Sequence, residues 1–440
     1  MAGVAALARE LGFKVTGVDQ AIYPPMSTQL QRLGIGFQQD YSAATSLPQN
    51  AYVLIGNALS RGNLAVEAVL NAKLPFSSGA QWLAENVLFR RQTVAVAGTH
   101  GKTTTSSLVA WLLECAGLHP GFMIGGIPEN FGISARLGKG APFVVEADEY
   151  DSAFFDKRSK CILYRPDIAI LNNLEYDHAD IFPNIEAIMQ QFHYFVRTVP
   201  GNGRLIVHSE DNRLQEVLKK GCWTPVERFG FDPECDWSAR MLRSDGSHFA
   251  VYRRGTYLGE VHWSVLGRHN VCNALGALAA VQAIGVDAAT ILPALASFRS
   301  VKRRLEIIGQ TKGLTVYDDF AHHPTAISAT LQGLRAKIGA ERIIAVVEPR
   351  SQSMRMGAHA AEMISALQQA DAIFLLIGPK VVWDVAPLKH ALGDKVHTYA
   401  TVDQLLDALL PQLQAGDHVV FMSNGGFDNA QQRFLAQLDV

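Results

Sequence analysis

The 440-residue sequence has few cysteines, and none of them belongs to a paired motif. The five lie far apart, at Cys115, Cys161, Cys222, Cys235 and Cys272. Zinc sites and redox dithiols use cysteines at short, regular spacings, which are missing here. We therefore expect reduced thiols that serve mainly in packing.

The sequence also lacks an excess of either charge. Its 39 lysines and arginines against 41 aspartates and glutamates give a formal net charge of −2, which attracts neither nucleic acid nor an anionic membrane. No segment approaches the roughly 20 consecutive apolar residues of a membrane span, and no charged stretch followed by an apolar one opens the chain. These absences favour a cytoplasmic enzyme without nucleic-acid or membrane partners.

The chain is long enough for about two to four domains, and its pattern alternates between helix and strand. In the first region we predict a helix at 4–11 and strands at 14–18 and 52–56. The glycine-rich loop and strand that should precede this helix are missing from the pattern. The middle region predicts helices at 106–115 and 270–284, strands at 143–145, 168–171 and 205–207, and a β meander at 235–265. In the last region we predict strands at 315–317, 343–347, 372–376 and 418–422, with helices at 324–337 and 358–369. We therefore expect an α/β fold with mostly parallel sheets.

The phosphate loop, residues 98–104, is the most informative segment. It follows an apolar strand and reads Gly98-Thr99-His100-Gly101-Lys102-Thr103-Thr104. Backbone N–H groups in such a turn converge on phosphate, while Lys102 adds a charge and Thr103 offers a hydroxyl to Mg²⁺. Val96 replaces a glycine that is usual in this loop, so Gly98 must make the turn. We expect ATP as the ligand; the alternative is an ordinary connection between a strand and a helix.

Two further strands end in polar residues. Residues 143–151 place four carboxylates after an apolar strand, and Glu146 is the nearest to the strand end. Carboxylate oxygens suit Mg²⁺, although a solvated acidic loop would look the same. After the strand at 168–171, His178 either binds a second metal or stabilises developing charge, unless it is structural. Because parallel strands share one carboxyl edge, we expect these groups beside the phosphate loop.

Six motifs occur in an order that resembles the ATP-dependent Mur ligases, which build the peptide part of bacterial cell-wall precursors. They are the phosphate loop, Glu146-Ala147-Asp148-Glu149, Asp177-His178, residues 267–273, Arg303-Arg304 and residues 318–324. The strings at 149–158 and 172–182 are similar to the branch that attaches a murein tripeptide during wall recycling. The L-alanine-adding branch usually has Pro-His-Arg-Tyr where this chain has Pro349-Arg350-Ser351-Gln352.

The resemblance implies three domains with separate tasks. It implies a Rossmann-like UDP-sugar-binding domain at 1–91, in which the first strand and glycine loop are missing. A central ATP-binding domain at 92–298 would combine a parallel sheet with a small antiparallel sheet. A second Rossmann-like domain at 299–440 would bind the amine substrate.

The resemblance also assigns roles to individual residues. Catalytic roles fall to Lys102, Glu146, His178, Arg304 and Asp319. The nucleotide would contact Gly98, Thr99, His100, Gly101, Lys102, Thr103, Thr104, Asn270, Asn273, Arg304, Asp319 and His322. Magnesium would be held by Thr103, Glu146 and His178. The expected substrate contacts are Ser60, Arg61, Asn130, His178, Arg350 and Arg355, the two last because a guanidinium pairs well with peptide carboxylates. Ser351, Ser353 and Asn424 are weaker substrate candidates.

The implied reaction activates a carboxylate. ATP would phosphorylate the lactyl carboxylate of UDP-N-acetylmuramate, and the α-amine of L-alanyl-γ-D-glutamyl-meso-diaminopimelate would attack the acyl phosphate. The alternatives are an L-alanine ligase and a nucleotide-dependent binding or regulatory module without ligase activity. We expect a monomer that closes its domains around ATP. Several Mur ligases carry a carbamylated lysine about fifteen residues beyond the metal-binding histidine; here His193 either replaces it or belongs to the core.

Overall fold

The N-terminal region, residues 1–91, contains short strands in two parallel pairs. The computed structural model describes residues 1–22, 26–42, 47–179 and 181–438. The elements of this region are α1 (Ala2–Glu10), β1 (Thr16–Val18), α2 (Met26–Arg32), β2 (Gly36–Gln38), β3 (Val53–Ile55), α3 (Leu64–Asn71), β4 (Phe76–Ser78) and α4 (Gly79–Asn86). Within the described ranges, β1 pairs with β2 and β3 with β4, and no hydrogen-bonded ladder joins the two pairs. The predicted helix and both predicted strands are present, with shifted or shortened ends.

The middle region, residues 92–298, is built on one large sheet. Its strands are β5 (Gln92–Ala97), β6 (Gly121–Met123), β7 (Ala135–Arg136), β8 (Pro142–Glu146), β9 (Asp151–Ala153), β10 (Asp156–Ser159), β11 (Ile168–Leu171), β12 (Arg204–His208), β13 (Val226–Gly230), β14 (Trp237–Met241), β15 (His248–Arg253) and β16 (Thr256–His262). Its helices are α5 (Lys102–Cys115), α6 (Lys160–Tyr164), α7 (Ile185–Val196), α8 (Asn212–Lys219), α9 (Arg268–Ile284) and α10 (Ala288–Ile291). In the described chain, ten strands follow the order β16-β15-β14-β13-β12-β11-β5-β8-β6-β7. The predicted meander is β14 to β16, and it continues this sheet.

The centre of the middle sheet fixes the location of the site. β5 lies between β8 and β11 and is parallel to both, so that Val96 pairs with Glu146 and Ala97 with Leu171. These strands are apolar on both faces, as expected for a parallel sheet that is covered on each side. One apolar core includes buried residues of α5 and α9, and a second includes those of α7. The carboxyl ends of β5, β8 and β11 therefore emerge side by side.

The C-terminal region, residues 299–440, carries a second, mostly parallel sheet. Its strands are β17 (Glu306–Thr311), β18 (Leu314–Asp319), β19 (Ile343–Val347), β20 (Ala372–Leu376), β21 (Val396–Tyr399) and β22 (His418–Met422). Its helices are α11 (Pro324–Ile338), α12 (Gln352–Met356), α13 (Glu362–Ala366), α14 (Ala386–Leu392), α15 (Val402–Leu409) and α16 (Ala430–Leu438). The strand order in the described residues is β17-β18-β22-β19-β20-β21, and only β17 runs antiparallel to its neighbour.

One predicted helix of this region is wrong in its length. Instead of a helix over 358–369, the chain ends α12 at Gly357, makes turns, and forms only the short α13. Gly357 has a left-handed φ of 76°, and an added Cβ would collide with Trp383. The apolar residues that suggested a long helix are buried by a shorter segment, with Met363 in α13 and Leu367 directly after it. Among the described residues, no helix combines the length and apolarity needed to cross a bilayer.

Candidate active site

The phosphate loop depends on two glycines with backbone conformations that other residues rarely adopt. Gly98 follows β5 with a φ of 148°, and Gly101 has a φ of 80° where it caps the start of α5. A Cβ on Gly101 would lie 2.6 Å from Asn273 Oδ1, so even a methyl group would displace the loop. Gly98 therefore makes the turn predicted from the sequence, and the loop opens towards the N-terminus of a 14-residue helix.

Helix α9 holds this loop from the other side. Asn273 Oδ1 accepts a hydrogen bond from Thr105 Oγ1 at 3.1 Å, and Asn273 Nδ2 donates to Asn270 Oδ1 at 3.0 Å. Asn270 Nδ2 in turn donates to the Leu266 carbonyl at 2.7 Å. Both asparagines that we predicted as nucleotide contacts are thus fixed next to the loop. Thr104 is buried in the first turn of α5.

Lys102 meets a carboxylate that sequence reasoning did not single out. Its Nζ lies 2.6 Å from Glu149 Oε2 and 3.9 Å from Asp148 Oδ1. Burial alone would lower the pKa of Lys102, but the charges of Glu149 and Asp148 outweigh it and hold the pKa above its usual value. Lys102 is therefore a fixed positive charge at the mouth of the loop.

Glu146 lies beside the first turn of α5. Its Oε1 accepts from Thr103 Oγ1 at 2.9 Å, and its Oε2 accepts from the Gly125 backbone N–H at 2.7 Å. Burial raises the pKa of Glu146, and the nearby Lys102 charge opposes this shift only partly. A cation at this carboxylate would favour its ionised form.

His178 contacts the other carboxylate oxygen of Glu149, the one that Lys102 does not contact. Its Nε2 lies 3.2 Å from Glu149 Oε1, and its backbone N–H donates to Asp177 Oδ1 at 2.7 Å. Burial disfavours the imidazolium form, but the hydrogen bond to Glu149 and the charges of Glu149 and Asp177 together outweigh burial and raise the pKa of His178. Burial also opposes ionisation of Glu149, yet Lys102 and His178 lower its pKa to about 2. Glu149 therefore links two of the predicted catalytic residues.

The residues predicted to hold magnesium have suitable donor atoms and spacing. Octahedral Mg²⁺ with bonds of 2.0–2.1 Å places neighbouring ligands about 2.9 Å apart. Thr103 Oγ1 and Glu146 Oε1 are separated by 2.9 Å. Glu149 Oε1 and His178 Nε2, at 3.2 Å, form a second oxygen and nitrogen pair. The first pair fits Mg²⁺ directly, and the second pair includes a carboxylate that the sequence prediction omitted.

The C-terminal region presents Asp319, Arg304 and His322 to this edge of the middle sheet. Asp319 is buried and accepts from the Leu305 and Ala321 backbone N–H groups, each at 2.7 Å. Burial raises its pKa, and the nearby Arg304 charge opposes the shift. Arg304 lies 5.3 Å from the Phe320 ring centroid, and His322 Nε2 lies 3.9 Å from Asp177 Oδ2. The neighbouring Arg303 instead bonds Asp318 and the Ser423 carbonyl.

A buried hydrogen bond joins the middle and C-terminal regions at Ser353. Ser353 Oγ donates to Asp177 Oδ1 at 2.9 Å and accepts from the Ala179 N–H at 3.2 Å. Both Ser353 and Asp177 are almost fully buried. The contact lies one residue from His178, so it fixes how the C-terminal region faces the site.

We expect Ser353→Ala to loosen this contact, because it leaves the Ala179 N–H and one Asp177 lone pair without their partner. Losing a buried hydrogen bond to a charged group costs about 1.5–3 kcal/mol. Turnover should fall roughly tenfold or more, and the radius of gyration measured by X-ray scattering with bound nucleotide should increase. Ser365→Ala, whose exposed hydroxyl bonds only within its own turn, is the control. Unchanged kinetics and dimensions would contradict a role in closure.

A second contact between the regions surrounds Glu175. Its Oε2 lies 3.2 Å from His100 Nε2 and 3.5 Å from His323 Nδ1, and it accepts from Thr325 Oγ1 at 2.6 Å. Burial opposes ionisation of Glu175, but the hydrogen bonds from His100 and Thr325 lower its pKa to about 2. We call His100, Glu175 and His323 the bridging cluster. The sequence prediction named His100, and His323 beside His322, as nucleotide or substrate contacts, but it gave Glu175 no role.

His322 predicts a pH dependence of stability. Burial lowers its pKa to about 4 against about 6.5 in the unfolded chain. The unfolded state therefore binds more protons between these values. The contribution of His322 is complete above about pH 6.5 and is lost as the pH falls towards 4, by about 1.4 kcal/mol per pH unit.

Denaturant unfolding at pH 7, 6 and 5 checks this prediction. We expect His322→Gln to flatten the loss of apparent unfolding free energy on acidification. The control His119→Gln changes a histidine whose side chain is 60% exposed, and it should keep the wild-type slope. Equal slopes in all three proteins would contradict the assignment.

Other predicted substrate residues make contacts that the sequence did not reveal. Arg61, next to Ser60, pairs with Glu67 at 2.9 Å. Asn130 donates to the Ser297 carbonyl at 2.9 Å and accepts from the Arg299 N–H at 2.8 Å, so it anchors the connection between the middle and C-terminal regions. The structure does not bring Arg61 or Asn130 into contact with the Lys102–Glu149–His178 group. Their substrate roles remain predictions.

Of the two predicted peptide-binding arginines, one precedes α12 and the other lies within it. Arg350 packs on Gly425 and lies 3.8 Å from Glu348 Oε1, while Arg355 is half-buried in the last turn of α12. Ser353, on the same short helix, faces Asp177 as described. Helix α12 therefore connects both arginines to the site edge. Asn424 lies in the loop after β22, where its Oδ1 is buried and has no hydrogen-bond partner among the described residues.

His193 does not reach the site. It lies on α7, where its ring centroid is 6.4 Å from Trp223 and its Nδ1 is buried without a partner in the described part of the chain. Its neighbours Arg197 and Lys220 belong to the same packed surface, away from Glu149 and His178. Of the two readings left open by the sequence, the structure favours a core histidine.

Comparisons with known proteins find the same family in successive parts of the chain. The profile of the Mur ligase middle domain matches residues 96–281, that of the Mur ligase glutamate ligase domain matches 303–425, and that of the Mur ligase family catalytic domain matches 1–91. A UDP-N-acetylmuramate–L-alanyl-γ-D-glutamyl-meso-2,6-diaminoheptandioate ligase from Escherichia coli K12 is 50% identical over 99% of this chain and 95% of its own length. A Haemophilus influenzae ligase of the same name is 46% identical over 100% of this chain and 96% of its own.

Solved structures show the same similarity. A crystal structure of a murein peptide ligase from Psychrobacter arcticus 273-4 is 41% identical and has a TM-score of 0.78, with 100% of this chain and 96% of the other covered. UDP-N-acetylmuramate–alanine ligase from Thermotoga maritima has a TM-score of 0.82 at 23% identity, covering 100% and 96% of the two chains, which supports the fold alone.

Proposed function

The chain belongs to the Mur ligase family, and from this premise we propose that it is the ATP-dependent ligase that joins UDP-N-acetylmuramate to L-alanyl-γ-D-glutamyl-meso-diaminopimelate. The bond formed is an amide between the lactyl carboxylate of the sugar and the α-amine of the peptide. This reaction returns a murein tripeptide to a cell-wall precursor. The expected setting is peptidoglycan recycling in the cytoplasm.

One observation carries the assignment of the chemistry. Lys102, Glu149 and His178 form a continuous chain of contacts at the shared carboxyl edge of β5, β8 and β11. A cation, a carboxylate and an imidazole beside a glycine-rich loop suit a triphosphate and an acyl phosphate. On the opposite side, the site is closed by Ser353 and His322, two residues of the C-terminal region that contact Asp177.

In the proposed reaction the residues bind and orient charged groups. Backbone N–H groups of residues 98–104 bind the phosphates, and Lys102 bridges the β and γ phosphates. Asn270, Asn273, Arg304 and Asp319 position the nucleoside, with His322 beside it. His178 faces the carboxylate that accepts the γ phosphoryl group. The main barrier is repulsion between two anions, which these cationic and N–H groups reduce without a side-chain nucleophile.

We propose Mg²⁺ as the cofactor at Thr103 and Glu146, with Glu149 and His178 at a second position. When bound, the metal would neutralise phosphate charge and polarise the phosphoryl oxygens. Thr103 and Glu146 then act by fixing its location at the loop. This role requires Glu146 to be ionised, and a bound cation would overcome the burial that raises its pKa.

The three regions have separate proposed tasks. We assign UDP-sugar binding to 1–91 with Ser60 and Arg61, nucleotide chemistry to 92–298, and peptide binding to 299–440. Arg350 and Arg355 would pair with carboxylates of the tripeptide, because a guanidinium matches a carboxylate with two parallel hydrogen bonds. Asn130 would act through the connection that it anchors. A monomer remains our expectation.

A coupled assay of ADP release across amines tests the function. With UDP-N-acetylmuramate and ATP present, the tripeptide should support turnover and L-alanine should support little. Arg350→Lys should raise the KM for the tripeptide, because an ammonium lacks the planar fork, while leaving the KM for ATP unchanged. Preferred use of L-alanine would make the protein the L-alanine-adding ligase. Nucleotide binding without turnover on any amine would indicate a binding module.

A further inference from the structure

The described residues contain two clusters whose donor atoms could hold a metal ion. One is the bridging cluster, and the other consists of His248, Glu260 and His262 on β15 and β16. The second cluster lies largely exposed on the edge strand β16 and its neighbour β15. The bridging cluster differs because its three residues come from three distant segments that fold around one point.

The geometry of the bridging cluster matches a small transition-metal ion. Tetrahedral zinc with bonds near 2.0–2.1 Å places its ligand atoms about 3.3 Å apart. Glu175 Oε2 lies 3.2 Å from His100 Nε2 and 3.5 Å from His323 Nδ1, and all three donor atoms fall within 4.8 Å of one another. Two imidazoles and one carboxylate are a ligand set that proteins use for zinc.

Hydrogen bonding around His323 leaves a position for a cation. Its Nδ1 accepts the Thr325 backbone N–H at 3.3 Å, so this nitrogen carries no proton. The same lone pair faces the Glu175 carboxylate oxygen, and neither atom can donate to the other. Two acceptors in contact are unfavourable, and a cation that displaces the 3.3 Å Thr325 N–H bond would take the Nδ1 lone pair and the Glu175 oxygen together.

The remaining imidazole nitrogens support the same conclusion. His323 Nε2 and His359 Nε2 are buried without a hydrogen-bond partner among the described residues, and the two ring centroids are 4.4 Å apart. The pocket thus holds two buried imidazole nitrogens without hydrogen-bond partners beside the Glu175 carboxylate.

We propose that His100, Glu175 and His323 bind a divalent transition-metal ion of the zinc type, separate from the magnesium position at Thr103 and Glu146. Two of the ligands belong to the middle region and one to the C-terminal region. Separation of these regions would break the site, so a bound ion favours their closed arrangement. Glu175 is also tied to the phosphate loop through Thr99 Oγ1 at 2.8 Å.

Cobalt absorption spectroscopy on the full chain tests this site. The background variant His262→Gln removes the exposed cluster, and excess Mg²⁺ occupies the catalytic position. We expect one equivalent of Co²⁺ to give the intense visible bands of a tetrahedral ion. His323→Asn, which keeps a helix-capping side chain, should weaken binding by about tenfold or more. His100→Gln is an independent second removal of a ligand.

His323→Cys provides a signature that a structural role would not produce. A thiolate ligand should retain Co²⁺ and add a sulfur-to-cobalt charge-transfer band, which the five natural cysteines should not give. That band, together with weaker binding in both removal variants, supports the site. Unchanged affinity in His323→Asn or His100→Gln, or a His323→Cys spectrum without the new band, overturns it.

Discussion

Replacing Lys102 with alanine is expected to reduce amide formation by about a thousandfold. The Lys102 ammonium is the buried positive charge that lies closest to the loop, 2.6 Å from Glu149. Without it, the loop loses the charge that most directly offsets the repulsion between the γ phosphate and the incoming carboxylate. The rate of ADP release at saturating substrates measures this effect, and circular dichroism checks that the fold persists.

Lys157→Ala is the matched control for this substitution. Lys157 also forms a 2.6 Å ion pair, with Asp151, but its side chain is 71% exposed. Its loss removes the same charge from the neighbouring acidic segment without touching the phosphate loop, so turnover should stay near wild type. Near-normal turnover of Lys102→Ala would refute the proposed phosphate site.

His178→Ala is expected to reduce amide formation severely while ATP binding persists. The imidazole lies 3.2 Å from Glu149 and faces the proposed acyl phosphate, whereas the glycine loop and Lys102 stay in place. We expect a fall in kcat of about a hundredfold or more, as for loss of one charge-stabilising group. Calorimetry with ATP and the ADP-release assay separate binding from chemistry.

Backbone strain has to be separated from this catalytic effect. His178 has a left-handed φ of 57°, which alanine tolerates poorly and asparagine accepts more readily. His178→Asn should therefore be as inactive as His178→Ala but more stable. His119→Ala is a control with a similar φ of 43° and an exposed side chain, and it should remain active. Activity in His178→Asn would show that strain explains the loss in the alanine variant.

Local patterns predicted the parts of the site that short segments form by themselves. The run from β5 through Gly98 into α5 is encoded within a dozen residues, and Glu146 was recognised because it ends β8. The strands at 168–171 and 343–347 also agree at both ends. In these segments, apolar runs and glycine positions leave few alternative structures.

Contacts between distant segments could not be predicted in this way. Glu149 is 47 residues from Lys102, and Ser353 is 176 residues from Asp177. The acidic run offered four carboxylates, and only the packing of the loop after β8 decides that Glu149 points to Lys102. Arg61 is the opposite case. Its motif suggested a substrate contact, and the sequence did not reveal that Arg61 pairs with Glu67.

The contact of Glu149 with both Lys102 and His178 has a consequence for the resting enzyme. Glu149 serves there as a built-in counter-ion, so the triphosphate has to displace a partner that is already in place. Part of the affinity for nucleotide is lost in this exchange, and Lys102 is released only when a more highly charged anion competes for it. Nucleotide binding and release of Glu149 from Lys102 are therefore coupled events.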